Sequence, residues 1–230
     1  MNFIVKNTTF PNLLDLIAPH SCRGCGRLGT VLCDCCKKNI TNAQTNLCPI
    51  CKKPTTNGKC KKHQNLPPVY IAGSRANLLN NLIHDFKYHS VRALAQPLAQ
   101  ILDSILPKIS TPVVIVPLPT ISKHIRTRGL DHTLHIAKHL ARIRGKHYRV
   151  QKLLLRAKDT IQVGADRQAR LSQAASAYVV NPKITINPNA TYILLDDVWT
   201  TGASMLAATK KLQQAGAKHV IISIIALSRL

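Results

Sequence analysis

The residues best suited to chemistry stand together in one window, YILLDDVWTTGAS, which runs from Tyr192 to Ser204. The window opens with an apolar run, Tyr192 to Leu195, of the kind that forms a strand buried on both faces of a parallel sheet. Two adjacent carboxylates, Asp196 and Asp197, follow at the point where we expect this strand to leave the sheet. A polar turn comes next and leads into a helical pattern.

The polar turn has the composition of an anion-binding loop. It consists of Thr200, Thr201, Gly202, Ala203 and Ser204. The first N–H groups of a helix lack intrahelical partners and the helix dipole is positive there, so both favour a phosphate. Gly202 lets the backbone close around such a group because it has no Cβ.

The two carboxylates require a different partner. They repel a phosphate, so they must face vicinal hydroxyls or a divalent cation. A phosphate and a diol about one helical turn apart belong to a ribose 5-phosphate. The alternative interpretation is a capped surface turn, since Asp, Ser and Thr are ordinary capping residues. The full order of strand, acids, turn and helix favours the ligand site.

This window resembles the PRPP-binding signature of type I phosphoribosyltransferases, in which an apolar strand, two adjacent acids and a Thr-Thr-Gly loop follow one another. The resemblance implies that Asp196 and Asp197 hold the ribose 2′- and 3′-hydroxyls. It also implies that Thr200 to Ser204 bind the 5-phosphate and that Mg²⁺ accompanies PRPP.

The cysteines form a second set of candidate ligands. They occur as C-x2-C or C-x2-H pairs, namely Cys22 with Cys25, Cys33 with Cys36, Cys48 with Cys51, and Cys60 with His63. A spacing of two residues lets both side chains of a tight turn reach one tetrahedral Zn²⁺. No secretory signal is recognisable, which favours metal ligands over disulfides. We therefore expect structural zinc.

The pairing of these ligands is open at this level, with one or two zinc ions. Sequential pairing joins the first two pairs and the last two pairs, whereas interleaved pairing is typical of cross-brace modules. Cys35 belongs to none of the four pairs. It is either free or takes the place of Cys33 or Cys36 as a metal ligand. Four protein ligands leave no position for a catalytic water, so the predicted role of the metal is folding.

Charge is the dominant feature of the composition. The chain of 230 residues has 32 Lys and Arg against nine acids, a net charge of +23. Such a balance favours nucleic acid or an anionic membrane surface, and a merely soluble basic surface is the alternative. No apolar run reaches the ~18 residues of a membrane span. We expect a cytoplasmic protein without a transmembrane segment, with peripheral attachment to the inner membrane as a variant.

Pro67 and Pro68 mark a boundary between a zinc-binding module, residues 1–66, and an α/β domain, residues 67–230, with a parallel sheet flanked by helices. The patterns predict an extended segment from Val69, strands over Val113–Val116, Tyr192–Leu195 and Val220–Leu227, and helices over Leu78–Tyr88, Ala93–Leu106, Asp131–Ile143 and from Ala203 to a stop at Gly216.

Two further features each have two interpretations. His132, His135 and His139 share a predicted helix, where a solvated or phosphate-facing edge is favoured over a metal stripe because no carboxylate accompanies them. Trp199 lies beside the acids, and local packing is favoured over stacking on a nucleobase.

The ordered set of features is similar to the ComF family: a cysteine-rich N-terminus, a helix ending in Lys-Tyr, a VPLP run, an Arg-x-Arg-Gly segment and the acidic window. The resemblance covers essentially the whole chain. It implies a type I phosphoribosyltransferase-like domain behind a zinc module. It also implies a role in handling incoming single-stranded DNA during natural competence, alongside a helicase or an inner-membrane channel.

The resemblance also assigns residues outside the acidic window. It implies that Leu118, Pro119 and Thr120 contact pyrophosphate and that Arg128 belongs to the Arg-x-Arg-Gly segment, which is Arg126, Arg128 and Gly129 here. Gln162 and Arg170 fit the family's flexible loop. Two departures are Gln173, where Asn is usual, and Leu130-Asp131-His132, where Phe-Asn-Gln is usual.

Three functions compete on these grounds. The first is a PRPP-binding protein that handles single strands; an aromatic content of 4% then favours backbone contacts over base stacking. The second is an active phosphoribosyltransferase that uses Mg²⁺ and PRPP with an unidentified nucleophile. The third is a zinc-linked adaptor, which leaves the acid pair without a task.

Overall fold

The structure is a computed structural model, and it describes residues 19–42, 46–157 and 177–228. Gln162, Arg170 and Gln173 of the expected flexible loop lie outside these described residues.

The described residues form seven strands: β1 Val69–Ser74, β2 Val113–Pro117, β3 Tyr148–Val150, β4 Leu154–Arg156, β5 Tyr178–Val180, β6 Thr191–Trp199 and β7 His219–Leu227. Five of them make a parallel sheet in the order β1-β7-β6-β2-β3, while β4 and β5 pair with each other antiparallel. The predicted α/β class with a parallel sheet is therefore confirmed.

The helices are α1 Asp34–Asn42, α2 Asn77–Tyr88, α3 Ala95–Ile105, α4 Ser122–Arg128, α5 His132–Arg144 and α6 Ala203–Gln214, and a 3₁₀ turn covers Arg92–Leu94. The sequence patterns predict α2, α3, α5 and α6 to within about three residues. They do not predict α1, which lies among the cysteine pairs, or α4, which has no buried residue and therefore no apolar stripe.

The helices cover both faces of the sheet. Buried side chains of α2, α3 and α5 pack on one face, where β6 contributes Ile193 and Leu195. Buried side chains of α6, with β4 and β5, pack on the other face, where β6 contributes Tyr192 and Leu194. This alternation along one strand is the period of two expected of a strand buried on both sides.

The strand order contains one topological switch. From β2 the chain passes through α5 to β3 on one side, and from β6 it passes through α6 to β7 on the other side. In open parallel sheets, ligands bind at the carboxyl ends of the two strands from which the chain departs in opposite directions. The crevice at the ends of β2 and β6 is therefore the favoured ligand position on topological grounds alone.

The cysteine-rich segment shares these cores. Cys22, Cys33 and Cys36 belong to the same buried cluster as α2 and α3. Cys48 and Cys60 belong to the cluster on the opposite face of the sheet. Polar contacts add to this packing, since Lys37 donates to Gln100 of α3 at 2.6 Å and Val69 N–H of β1 donates to Gly58 O at 2.9 Å. The segment around Cys22, Cys33 and Cys36 therefore packs on one face of the sheet, and the segment around Cys48 and Cys60 packs on the other face.

Candidate functional site

The carboxylate pair lies at the carboxyl end of β6, but within the strand rather than beyond it. Our expectation that the strand ends at Leu195 is wrong, because β7 continues to pair with β6 as far as Trp199. The neighbour on the other side, β2, ends at Pro117 opposite Leu195. From Asp196 onward, β6 therefore has a strand partner on one edge only, and the acids border the open end of β2.

Asp197 is held by a lysine from a distant part of the chain. Lys87 Nζ lies 2.7 Å from both carboxylate oxygens of Asp197, and the two side chains are only 18% and 12% exposed. Lys87 stands in the last turn of α2, on the face of the sheet where α2 packs. The sequence window does not reveal this partner, although the Lys-Tyr ending of the helix is part of the ComF-like pattern.

Asp196 has a different environment from its neighbour. Its Oδ1 accepts the backbone N–H of Asp197 at 2.8 Å, and its side chain is half-buried. Removal from water and the adjacent Asp197 carboxylate raise the pKa of Asp196 to about 8, against opposing contributions from that hydrogen bond and from Lys87. At neutral pH the pair therefore carries less than two full negative charges.

The loop after β6 has the shape expected of an anion site. Gly202 adopts a left-handed conformation with φ 80° and ψ −6°, and α6 begins at the next residue. Thr200, Thr201 and Ser204 are exposed around this helix start. A Cβ on Gly202 would lie 2.2 Å from Trp199 Cζ2, so glycine is required by both backbone angle and space. The strand, loop and helix of the sequence prediction are all present.

The Trp199 ring packs directly against Gly202 of this loop. Its side chain is 2% exposed and belongs to the core cluster with Met205 of α6. The prediction of local packing is therefore confirmed, and the ring is not available to stack on a nucleobase in this conformation.

A cleft of about 510 Å³ opens beside the end of β2. Its lining combines the predicted pyrophosphate residues Pro119 and Thr120 with two cations, Lys152 and Arg156. Leu118, the third predicted residue, has a buried side chain, and its carbonyl accepts the Thr133 hydroxyl at 3.1 Å. Two of the three predicted residues, Pro119 and Thr120, therefore line the cleft. The third, Leu118, packs in the core instead.

The cleft also has an acidic member and a basic wall. Asp131, the N-cap of α5, accepts the Leu134 N–H and lies 3.9 Å from Lys152 Nζ. Arg156 stacks over the Tyr178 ring at 5.4 Å. Burial raises the pKa of the Tyr178 hydroxyl, against a hydrogen bond with Ser204 that lowers it. Tyr178 therefore links Arg156 of the cleft wall to Ser204 at the start of α6, a connection that the sequence does not show.

Arg128 lies apart from the cleft residues on α4. Its guanidinium stacks over Tyr88 at 5.0 Å and donates to the Tyr88 hydroxyl at 3.4 Å. Gly129 then ends α4 with φ 66°. Arg128 therefore contacts the end of α2 at Tyr88. Tyr88 directly follows Lys87, the lysine that is paired with Asp197.

The predicted metal ligands form two compact groups that could hold zinc. In the first, Cys22, Cys25, Cys33 and Cys36 converge with all four sulfur atoms within 4.8 Å of one another. The Cys25 and Cys33 sulfur atoms are 3.7 Å apart. Tetrahedral zinc with Zn–S bonds of about 2.3 Å requires sulfur atoms roughly 3.8 Å apart, so the group fits the ion.

The second group combines Cys48, Cys51, Cys60 and His63. His63 Nδ1 lies 3.5 Å from Cys48 Sγ and 3.6 Å from Cys60 Sγ, and a tetrahedral zinc with one imidazole requires about 3.6 Å. Both groups follow sequential pairing, so the interleaved alternative is not the arrangement found. Cys35 is exposed and belongs to neither group.

The three histidines of α5 do not share one environment. His132 is 2% exposed, and its Nε2 lies 2.7 Å from Phe86 O, whereas His135 and His139 are half-buried. Our expectation of a solvated edge is therefore wrong for His132, because α5 turns this residue toward α2. Burial lowers the pKa of His132, so the neutral imidazole is favoured there.

No protein-family model matches the chain, and a search of the curated proteins finds no match. Within the described residues, none of the helices combines the length and the apolar character that crossing a bilayer requires.

Proposed function

We propose that the chain is a ComF-like protein that binds PRPP and handles single-stranded DNA during natural transformation. In this proposal residues 67–230 have the fold of a type I phosphoribosyltransferase, and residues 1–66 form the zinc module before it. The observation that carries the proposal is the placement of Asp196, Asp197 and the Gly202 loop at the topological switch of the sheet.

Each end of PRPP has a matching feature. The exposed hydroxyls of Thr200, Thr201 and Ser204 and the first N–H groups of α6 suit the 5-phosphate. The carboxylates of Asp196 and Asp197 suit the ribose hydroxyls. Pro119 and Thr120 border a cleft with Lys152 and Arg156, which suits a pyrophosphate. Mg²⁺ would bind the oxygens of PRPP and keep several waters.

The ion pair between Lys87 and Asp197 is compatible with this role. An ionised carboxylate offers about four lone-pair positions, so Asp197 can accept the Lys87 ammonium and a ribose hydroxyl together. Lys87 also orients the buried Asp197 carboxylate and gives it a partner of opposite charge. We therefore assign Lys87 as a positioning residue rather than as a competitor for the sugar site.

Single-stranded DNA is the proposed macromolecular ligand because of charge. Residues 122–157 contain ten Lys and Arg and one Asp, and most of these cations are exposed. Two loaded zinc sites reduce the net charge of the chain from +23 only to about +20. Few aromatic side chains are present, so phosphate contacts rather than base stacking would dominate.

The alternative is an active phosphoribosyltransferase, and the cleft beside β2 favours it. In that reaction the bond between the anomeric carbon and the pyrophosphate oxygen breaks, pyrophosphate leaves with the bonding electrons, and a nucleophile bonds to the carbon. The cations Lys152 and Arg156 are placed to stabilise the departing charge.

The test is a titration of Mg²⁺ and PRPP against the wild type and an Asp196→Ala, Asp197→Ala double variant, with and without single-stranded DNA. The proposal predicts that the wild type binds PRPP and the double variant does not. Asp34→Ala, at an exposed carboxylate of α1, is the control that keeps binding. DNA affinity should fall steeply with salt.

The same samples separate the two functions. Pyrophosphate release in the presence of a candidate nucleophile supports the enzyme. PRPP binding without release supports the DNA-handling role. Absence of PRPP binding in a folded, zinc-loaded wild type contradicts both.

A further inference from the structure

We propose a third metal site, separate from the cysteine groups, formed by His84, Asp85 and His89 at the carboxyl end of α2. One ligand atom from each residue lies within 4.8 Å of the other two. Nothing in the sequence analysis points to this site, because its histidines lack the two-residue spacing of the knuckles. It does not depend on the proposed function.

The three side chains already have much of the geometry that a metal requires. His89 Nδ1 lies 2.9 Å from Asp85 Oδ1, which is close to the separation of about 3 Å between neighbouring ligands in an octahedral site with bonds of about 2.1 Å. The His84 and His89 rings are 5.0 Å apart and nearly perpendicular, at 76°. Both imidazoles are exposed, so small side-chain rotations can direct their nitrogens to a common point.

The surroundings support a cation at this position. α2 ends at Tyr88, with His89 as its C-cap, and the carbonyl end of a helix carries partial negative charge. Asp85 is oriented by Arg23, whose Nε lies 3.4 Å from Oδ2, so Oδ1 remains directed to His89. A carboxylate that uses one oxygen for a metal and the other for a hydrogen-bonding cation is a typical supported ligand.

The ligand set indicates a transition metal with a free coordination position. Two imidazoles and one carboxylate suit Zn²⁺, Co²⁺ or Ni²⁺, whereas Mg²⁺ and Ca²⁺ prefer sets made only of oxygen. Three protein ligands leave at least one position for water or an anionic oxygen. The cysteine groups differ in this respect, because their four ligands would occupy all the positions of a tetrahedral metal. We therefore expect exchangeable metal here and retained zinc there.

The test uses the full chain with its cysteine groups loaded with zinc. Co²⁺ or Ni²⁺ alone is titrated into the protein, and the bound metal is measured by calorimetry and by the visible absorption of Co²⁺. The expected result is one additional equivalent per chain in the wild type. Removal of one ligand in His84→Ala or His89→Ala should weaken this binding at least about tenfold.

His147→Ala is the matched control, because His147 is also exposed and lies outside the cluster. It should bind the additional equivalent as the wild type does. Circular dichroism and retained zinc show that each variant is folded. Absence of a third equivalent in the wild type, or equal binding in the His84 and His147 variants, would overturn the proposal and leave the cluster as an ion pair that caps α2.

Discussion

At the scale of single residues, the sequence identifies the acids of the site but not the group that controls them. Asp196 and Asp197 stand out because they are adjacent and follow an apolar strand. Lys87 is 110 positions away, so only the folded chain brings it to Asp197. The candidate metal ligands are easier to predict, because each C-x2-C or C-x2-H pair lies in one tight turn. The spacing of two residues is then enough to indicate that both side chains can reach the same metal.

The raised pKa of Asp196 predicts an unusual pH dependence of stability. An Asp in an unfolded chain titrates near pH ~3.9, whereas Asp196 in the folded protein has a pKa of about 8. The folded state therefore holds an extra proton between these values, so stability falls as pH rises from about 4 to about 8 and levels off above the folded pKa. The asparagine in Asp196→Asn cannot titrate. The difference in free energy of unfolding between this variant and the wild type should therefore shift in favour of the variant as pH rises from 6 to 9.

Urea unfolding at pH 6, 7, 8 and 9 measures this difference. Asp34→Asn, at a side chain that is 86% exposed, is the control and should show a constant difference from the wild type. A constant difference for Asp196→Asn as well would show that the carboxylate is ionised throughout this range.

A second prediction concerns Lys87. Lys87→Met leaves Asp197 buried without its cation and removes a charge that lowers the pKa of Asp196. Asp196 should then bind a proton more readily, and Asp197 should lose the contact that orients it, so PRPP affinity at pH 7 should fall by about tenfold or more and recover in part at pH 9. Calorimetric titration at the two pH values checks this.

Lys87→Arg, which keeps the charge, should retain most of the affinity. Lys146→Met, at an exposed lysine away from the acids, controls for the loss of one positive charge. Tighter PRPP binding in Lys87→Met would mean that the lysine occupies the sugar site and competes with the ligand.

At the scale of elements, the apolar patterns predict most helices and strands, and the errors have physical causes. The strand β6 extends past Leu195 through two acids that are poor strand formers, because pairing with β7 outweighs their propensity. The helix α4 is missed because it has no buried face. The order of the strands, which defines the crevice, depends on long-range pairing that no local pattern contains.

The turn between β6 and α6 provides a test at this scale. Gly202→Ala places a Cβ 2.2 Å from the buried Trp199 ring and strains a left-handed backbone. We expect a loss of about 1–3 kcal/mol in the free energy of unfolding and loss of PRPP binding, because the loop must shift. Urea unfolding followed by Trp199 fluorescence measures the first effect.

Gly129→Ala separates strain from crowding. Gly129 has a similar backbone conformation, with φ 66° and ψ 11°, but the nearest atom to its Cβ position is the end of the Arg92 side chain at 3.8 Å. Its destabilisation should be clearly smaller. Equal losses in the two variants would mean that contact with Trp199 is unimportant.

At the scale of the whole molecule, the boundary drawn at residue 66 stays a prediction, but the cores do not follow it. Cysteine ligands belong to the buried clusters on both faces of the sheet. A composition shift and two prolines predict where a segment begins, but they carry no information on what that segment packs against. Metal binding and the stability of the α/β domain should therefore be coupled.

Removal of zinc tests this coupling. A strong chelator should lower the thermal midpoint of the transition reported by Trp199, the single tryptophan, by at least about 5 °C, or roughly 2 kcal/mol for a chain of this size. Cys36→Ala should have the same effect without chelator, while Cys35→Ala, at an exposed cysteine outside the ligand groups, should not. An unchanged Trp199 transition in the metal-free protein would show that the cysteine-rich segment folds independently.

The central claim is that the carboxylate pair holds a ribose diol while the Gly202 loop holds its phosphate. Its most direct measurement compares the affinities of ribose 5-phosphate and 2-deoxyribose 5-phosphate by calorimetry. The two ligands share the phosphate and differ by the hydroxyl that the acids would accept. The account predicts binding of the ribose compound at least about tenfold tighter, because the deoxy compound loses one of the hydroxyl contacts that the acids would make. Equal affinities for the two sugars would contradict it.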